Sequence, residues 1–241
     1  MTTEIRAQLA ANRANVHERI TTAALRAGRD PGSITLIAVT KSVSAAIALQ
    51  LFELGEEHLA ENRLENFDAK LAAFGERRPT WHYIGHVQRN KARRVVERSD
   101  VLHSVDSLRL LEHLAHVAAE LERCPAVYLQ IKLVNEESKS GFAPEVVEAG
   151  IEAALASPHV RLAGLMTMAP LLPGVPETER RARAAETFAQ LRELADRWPE
   201  LGLGLSMGMT GDFEEAIAQG STALRIGSAF FHGLQAERTH G

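Results

Sequence analysis

The sequence predicts an α/β fold: a single (β/α)8 barrel of the TIM type with an extra N-terminal helix. Short apolar segments rich in β-branched residues alternate eight times with segments of helical periodicity, and eight parallel strands close such a barrel. No linker or low-complexity tract divides the 241 residues, so we expect one domain spanning residues 1–241. A doubly wound open sheet is the alternative, but the first strand-to-helix turn lacks a glycine-rich phosphate loop.

The elements can be placed in order from their periodicity. A helix is predicted over residues 3–29, where Leu9, Val16 and Ile20 lie on one apolar face, and the first strand is the β-branched run 34–40. The proline-containing stretch 170–176 is predicted to be a loop at the barrel mouth. Further strands are predicted at 58–61, 81–84, 101–105, 127–134, 160–168, 203–207 and 222–226, with helices at 44–54, 64–74, up to 98, 107–122, after 144, at 177–198 and at 210–219.

Composition excludes several classes of protein. Hydrophobic residues make up 45% and charged residues 24%, which is typical of a globular protein and not of a disordered one. The formal charge of −4 and the aromatic content of 5% argue against nucleic-acid binding, although the basic segment 89–98 keeps an RNA-binding module as an alternative. A single cysteine, Cys124, excludes an intramolecular disulfide. With no signal-like or membrane-spanning segment, we expect a cytoplasmic protein that binds no membrane.

Candidate functional residues follow from the barrel, because the working side chains of this fold lie at the carboxyl ends of the strands. Lys41 follows the first strand, where a desolvated amine would be a nucleophile towards a carbonyl group. A solvated lysine that begins the next helix is the alternative. Arg225, near the end of the eighth strand, stays charged and can donate to a ring nitrogen or to an acid. A salt-bridged arginine is the alternative there.

Two segments after the last strands predict an anion site. Residues 206–210 and the pair Gly227 and Ser228 combine glycine, which lets backbone N–H groups approach a ligand, with hydroxyl donors. Ordinary turn and capping chemistry, with Thr210 as the N-cap of the following helix, is the alternative. Asp212 argues against an anion there unless its side chain points away.

The remaining histidine and methionine candidates indicate a functional site less strongly. His82 and His86 are four apart, but strand geometry separates them and no cysteine or carboxylate completes a set of ligands, so we expect no metal site. Met166 and Met168 alternate on the sixth strand, where packing is the ordinary role of methionine.

Several short motifs together resemble the pyridoxal phosphate homeostasis protein family, which is similar to the barrel domain of alanine racemase. Their order and spacing along nearly the whole chain make the match specific. The motifs are LIAVTK at 36–41, ENR at 61–63, WHYIGHVQRNK at 81–91, HSVD at 103–106, SKSGF at 138–142, GLM at 164–166, LSMGMT at 205–210 and RIG at 225–227.

The resemblance implies a barrel that holds pyridoxal 5′-phosphate (PLP) as a Schiff base on Lys41. It implies an arginine, Arg225, at the pyridine nitrogen, phosphate-binding stretches after the seventh and eighth strands, and no known turnover chemistry. Apo forms of PLP-dependent enzymes are candidate recipients of the cofactor, and we expect a monomer. The cofactor-binding residues on this reading are Lys41, Asn62, Met166, Ser206, Gly208, Met209, Arg225, Gly227 and Ser228.

The sequence departs from the family pattern at two positions. Ala60 replaces a glycine, and Lys132 stands where asparagine is common. Because Gln130 and Lys132 share a strand face, a second amine is expected near the cofactor if that face is the barrel interior. Three other functions stay open: a small PLP enzyme such as an amino-acid racemase, a Schiff-base aldolase, and the RNA-binding module.

Overall fold

A computed structural model describes residues 2–134 and 140–234, and in these ranges the sheet is a closed parallel barrel in the order β1 to β8. The strand pairing β1–β8 closes it, with Ile37 opposite Arg225. The strands are β1 (Thr35–Val39), β2 (His58–Glu61), β3 (Thr80–Tyr83), β4 (Val101–Val105), β5 (Ala126–Gln130), β6 (Arg161–Met166), β7 (Gly204–Ser206) and β8 (Ala223–Ile226).

Eight α-helices accompany these strands within the described residues. Side-chain caps fix the starts of two of them, because Ser44 and Ser107 each accept a hydrogen bond from a backbone N–H of the first turn. The helices are α1 (Thr2–Arg26), α2 (Ala45–Glu53), α3 (Leu64–Phe74), α4 (Ala92–Arg98), α5 (Leu108–Glu120), α6 (Val147–Ala156), α7 (Glu177–Ala195) and α8 (Phe213–Ala218). The predicted barrel and its N-terminal helix are confirmed.

Helix α1 packs against both α2 and α8 and so occupies the gap between them in the outer ring. Arg19 lies over the ring of Phe213 at 4.6 Å and pairs with Glu214 at 2.6 Å. The Arg13 Nε atom donates to Glu56 at 2.7 Å on the α2 side. The extra helix therefore fills the place that a helix after β8 would take.

The two faces of the sheet differ in character. The outer face carries the large apolar core, with residues such as Leu59, Leu102 and Leu224 packed under the helices. The inner face has a small apolar cluster of Ile37, Val39, Ala60 and Ala223. Alternation along the strands places further inward-facing side chains above and beside this cluster. Those side chains are mostly polar: His58, His82, His103, Tyr128, Ser206 and Arg225.

Two boundaries differ from the sequence prediction in ways that affect the site. Strand β5 ends at Gln130, after which Ile131 makes an isolated bridge to Phe142. Strand β6 ends at Met166, two residues before its predicted end, and residues 167–176, which include the loop predicted over 170–176, connect it to α7 without a helix or strand. Among the described helices, none is long and apolar enough to cross a bilayer.

Candidate functional site

A cavity of about 490 Å³ opens at the carboxyl ends of the strands. Its volume lies in the range of about 300–1,000 Å³ that is usual for small-molecule sites. Seven of the nine predicted cofactor-binding residues line it, while Ser206 and Gly208 lie just outside the lining. The lining residues are Val39, Lys41, Ser42, Asn62, Ile84, Gly85, His86, Met166, Met168, Met209, Thr210, Arg225, Gly227 and Ser228.

Lys41 lies in a turn directly after β1, at the edge of this cavity. The turn is anchored by the Thr40 backbone N–H, which donates to the Ala60 carbonyl at 3.0 Å, and by the Asn66 side-chain amide, which donates to the Lys41 carbonyl at 3.3 Å. The Lys41 side chain itself is exposed. The expectation of a desolvated amine is therefore wrong for this structure, because the mouth is open to solvent where the lysine projects.

Arg225 is the buried cation of the site, with only 5% of its surface exposed. Its guanidinium donates to the Ser206 hydroxyl at 2.6 Å and to the Thr167 carbonyl at 3.1 Å. Burial lowers the pKa of Arg225 to about 10, an effect that the nearby Asp212 and Tyr128 oppose. The guanidinium is therefore still protonated at neutral pH and presents its positive charge to the cavity.

The segment after β7 is a tight turn rather than the start of a helix. Gly208 has a φ of +96°, and a Cβ there would lie 2.6 Å from the Cβ of Ala216, so only glycine fits. Asp212 accepts from the Met209 backbone N–H at 2.6 Å, and α8 begins one residue later at Phe213. The prediction that Thr210 caps this helix is wrong, because the Asp212 bond keeps the chain in the turn until residue 212.

Asn62 is held at the mouth by close packing of backbone on backbone. A Cβ on Gly85 would lie 2.1 Å from the Asn62 carbonyl oxygen, so glycine at this position lets the two segments meet. The Tyr83 hydroxyl donates to the same carbonyl at 3.2 Å. Both contacts fix the backbone from which the Asn62 side chain reaches the cavity lining.

An ion pair that sequence reasoning missed lies beneath the mouth, between α3 and the outer face of β1 and β2. The Lys70 amine donates to Glu61 Oε1 at 2.5 Å and to the Thr40 carbonyl at 2.9 Å, and both side chains are almost completely buried. Burial raises the pKa of Glu61, against the opposing effect of Lys70. The signal in the sequence was the helical spacing, which puts Lys70 on the same face as Phe67 and Phe74.

Lys132 does not line the mouth cavity. Its backbone N–H donates to the Phe142 carbonyl at 2.9 Å, and the residue borders a separate small cavity with Gln130 and Thr167. The condition for a second amine at the cofactor site, a strand face shared by Gln130 and Lys132, is not met, because β5 ends at Gln130 and strand alternation no longer applies. Ser138 and Lys139 of the SKSGF motif fall outside the described residues.

The remaining polar candidates are accounted for by local contacts. His82 is buried in the barrel, whereas His86 is exposed at the mouth with its Nδ1 3.3 Å from Asp106. In residues 2–134 and 140–234, no three or more His, Cys, Asp or Glu side chains are arranged so that they could hold a metal ion. In the basic segment, Arg94 and Arg98 both pair with Asp68, which neutralises part of that face.

The fold and this site define a class of protein. Residues 9–235 match the family model described as the N-terminal domain of alanine racemase. An alanine racemase structure from Clostridium difficile shares the fold, with a TM-score of 0.73 and 15% identity over 96% of this chain and 58% of that chain.

Comparison with curated relatives narrows the class. The chain is 40% identical to the pyridoxal phosphate homeostasis protein of Pseudomonas aeruginosa, over 92% of this chain and 94% of that one. It is 38% identical to the protein of the same name from Escherichia coli K12, over 92% and 95%. PipY of Synechococcus elongatus PCC7942, solved with PLP bound, has a TM-score of 0.76 and 36% identity over 92% of this chain and 99% of that chain. The chain belongs to the pyridoxal phosphate homeostasis protein family.

Proposed function

We propose that the chain binds PLP at the barrel mouth and serves in PLP homeostasis. The observation that carries the proposal is that one cavity is lined by an amine, Lys41, by a buried guanidinium, Arg225, and by the Gly227 and Ser228 pair. When bound, PLP supplies an aldehyde that reacts with amines, and it also carries a phosphate and a pyridine nitrogen. The three groups of the cavity match these three parts in chemical type. The names of the curated relatives and the PLP in PipY support the same assignment.

We assign each residue a role from its position. Lys41 is the amine for the aldehyde, and its exposed side chain is reachable from solvent. Arg225 donates an N–H towards the ring nitrogen, and since it stays protonated at neutral pH it binds that nitrogen without giving up a proton. Asn62 and Met166 line the space for the ring.

We assign the binding of the phosphate to the segments after β7 and β8. Met209, Gly227 and Ser228 line the cavity, and the Ser228 hydroxyl is a donor of the right type for a phosphate oxygen. Ser206 and Gly208 stabilise this region without lining the cavity. Ser206 accepts a hydrogen bond from Arg225, and Gly208 allows the tight turn after β7. The Asp212 carboxylate accepts from the Met209 N–H and so occupies that backbone donor, which leaves the Ser228 hydroxyl and the remaining backbone N–H groups of these segments for the phosphate.

A titration followed by visible absorbance tests the proposal. Purified protein freed of cofactor should bind PLP and develop the band of a lysine-bound cofactor, whereas pyridoxal, which lacks the phosphate, should bind at least about 100-fold more weakly because charged hydrogen bonds are lost. Equal binding of the two compounds would contradict the phosphate assignment. No binding of PLP would contradict the function.

We further propose that the chain acts as a monomer that hands PLP to apo enzymes. The large apolar side chains that are exposed in the described residues are spread over several elements, for example Leu25 on α1, Leu155 on α6 and Leu171 in the loop before α7. Light scattering should give a mass near 26.3 kDa. Loaded protein should restore activity to an apo PLP enzyme faster than the spontaneous release of PLP into solution allows.

A further inference from the structure

A chain of hydrogen bonds crosses the polar interior of the barrel. His58 Nδ1 lies 3.0 Å from His82 Nε2, and His82 Nδ1 lies 2.9 Å from His103 Nε2. His103 Nδ1 lies 2.8 Å from the Ser206 hydroxyl, which accepts from Arg225 at 2.6 Å. Five side chains from five different strands are thus linked in series.

This series of hydrogen bonds runs from one end of the barrel to the other. His58 is the first residue of β2, at the amino end, and is partly exposed, whereas Arg225 lines the cavity at the carboxyl end. The two histidines between them are buried, with His82 at 4% and His103 at 0% exposure. The imidazole of His103 also stacks on Tyr128, with ring centroids 4.6 Å apart and planes 13° apart, which fixes the plane of its ring.

The two buried imidazoles are neutral at physiological pH. Burial lowers the pKa of His82 to about 3, and burial holds the pKa of His103 well below its usual range, with His82 and Arg225 adding to the effect. A neutral imidazole has one N–H donor and one acceptor nitrogen. Each ring in the series must therefore donate on one side and accept on the other.

Arg225 sets the direction of the series. A guanidinium can only donate, so the Ser206 oxygen accepts from it, and the serine hydroxyl must donate elsewhere. Within the described part of the chain, the other partner of that hydroxyl is His103 Nδ1. His103 then carries its proton on Nε2 and donates to His82 Nδ1, and His82 in turn carries its proton on Nε2 and donates to His58.

We propose that His103 is a positioning residue of the ligand site: through the Ser206 hydroxyl it holds the Arg225 guanidinium at the cavity, and Arg225 in return fixes both buried histidines as Nε2–H tautomers. The Thr167 carbonyl is the second anchor of the guanidinium. With both anchors made, two of the five guanidinium N–H groups are engaged inside the protein, and the group is oriented before a ligand arrives. The role of His103 towards PLP rests on the proposed function, but the tautomers do not.

The first experiment therefore uses cofactor-free protein. Long-range ¹H–¹⁵N spectra of histidine-labelled protein, assigned with His82→Gln and His103→Gln, should show two neutral Nε2–H imidazoles between pH 6 and pH 8. The Nδ1–H tautomer or a charged imidazole at either position would overturn the proposed direction. The tautomers of the two histidines can be determined in this way whether or not the protein binds PLP.

The second experiment measures the effect on the ligand site with a matched pair of variants. His103→Phe keeps a ring for Tyr128 but removes the acceptor for Ser206, and His103→Gln can accept from Ser206 and donate to His82. We expect His103→Phe to weaken PLP binding about tenfold and to shift the band of the lysine-bound cofactor, and His103→Gln to stay within about threefold of the unmodified protein. His58→Gln, at the far end, should bind PLP normally.

Three results would overturn the role of His103. A folded His103→Phe variant with unchanged binding and spectrum would show that Arg225 needs no support, and equal losses in both His103 variants would show a packing effect only. If His103→Phe does not fold, His103→Leu, which also removes the acceptor for Ser206, takes its place in the test. If the unmodified protein does not bind PLP, the proposed function fails together with this role, while the tautomers stand.

Discussion

Two buried polar clusters lie on opposite faces of the same sheet and differ in how their charge is balanced. On the outer face, Lys70 pairs directly with the Glu61 carboxylate at 2.5 Å. On the inner face, Arg225 is held by a hydroxyl and a carbonyl, and no carboxylate within the described ranges forms a salt bridge with it. The outer cluster has no net charge, whereas the inner one keeps a positive charge that faces a cavity.

The difference in charge balance between the two clusters indicates which buried charge is available to a ligand. The charge of a buried cation that is paired with an anion is neutralised within the protein, and removing one partner leaves the other buried without a counter-charge. A buried cation held by neutral acceptors keeps its charge for an incoming anion or lone pair. The burial of Arg225 without an ion pair supports the proposed ligand site more strongly than its burial alone would.

The largest effect is expected from breaking the outer pair. Lys70→Met should lower the free energy of unfolding by about 3–5 kcal/mol, because it leaves the Glu61 carboxylate buried without a counter-charge. Urea unfolding measures this. The double variant Glu61→Gln with Lys70→Met removes both charges and should recover most of the loss. A change below about 1 kcal/mol in Lys70→Met would contradict the account of the outer cluster.

The buried histidines linked to Arg225 on the inner face should make the free energy of unfolding depend on pH. The folded pKa values of His82 and His103 lie below the value of about 6.5 for an unfolded histidine, so only the unfolded chain takes up these protons as the pH falls. Each residue should therefore cost up to about 1.4 kcal/mol of stability per pH unit below about pH 6, until the pH reaches the folded pKa. Urea unfolding between pH 7 and pH 5 checks this.

A variant of His103 tests that assignment. His103→Gln should reduce the slope by the share of one residue. An identical slope in His103→Gln would show that the buried histidines do not control it.

Arg225→Met should separate binding from stability. The substitution removes the cation but leaves only neutral acceptors behind, so the loss of stability should be smaller than for Lys70→Met. Binding of PLP should weaken about tenfold or more, because a charged hydrogen bond to the ligand is lost. Parallel urea unfolding and absorbance titrations measure both. A large loss of stability with unchanged affinity would reverse the roles assigned to the two clusters.

The smallest effect is expected at Lys132. Lys132→Asn should change the affinity for PLP by less than about twofold, because the residue borders a different cavity from Lys41. The absorbance titration that measures Arg225→Met serves here too. A clear loss of affinity would mean that a second amine reaches the mouth.

The sequence predicted the barrel well because the signals for its strands and helices are local. The bounds of β2, β4 and α3 agree with the structure residue for residue, since short apolar runs and helical spacing are properties of neighbouring residues. Lys41, Arg225 and Ser228 could be grouped from the sequence alone, because parallel strands in a barrel place their carboxyl ends together.

The errors arose where distant segments decide the conformation. Strand β5 stops at Gln130 because residues near Phe142 bond to it, which no local pattern around Lys132 reveals. The turn before α8 is a local exception, since it depends on the bond from the Met209 N–H to the side chain of Asp212, a residue that the sequence pattern placed inside the helix. The inner series from His58 to Arg225 joins five strands, so each member looked like an isolated strand residue in the sequence.

The most direct test of the central claim is to find the lysine that PLP modifies. The protein is saturated with PLP, reduced with borohydride, digested and analysed by mass spectrometry, beside Lys41→Ala and Lys132→Ala. We predict a reduced pyridoxyl group on Lys41, no stoichiometric label in Lys41→Ala, and full labelling in Lys132→Ala. Stoichiometric label on another lysine of the unmodified protein, or undiminished labelling of Lys41→Ala, would contradict the assignment of the barrel mouth as the PLP site.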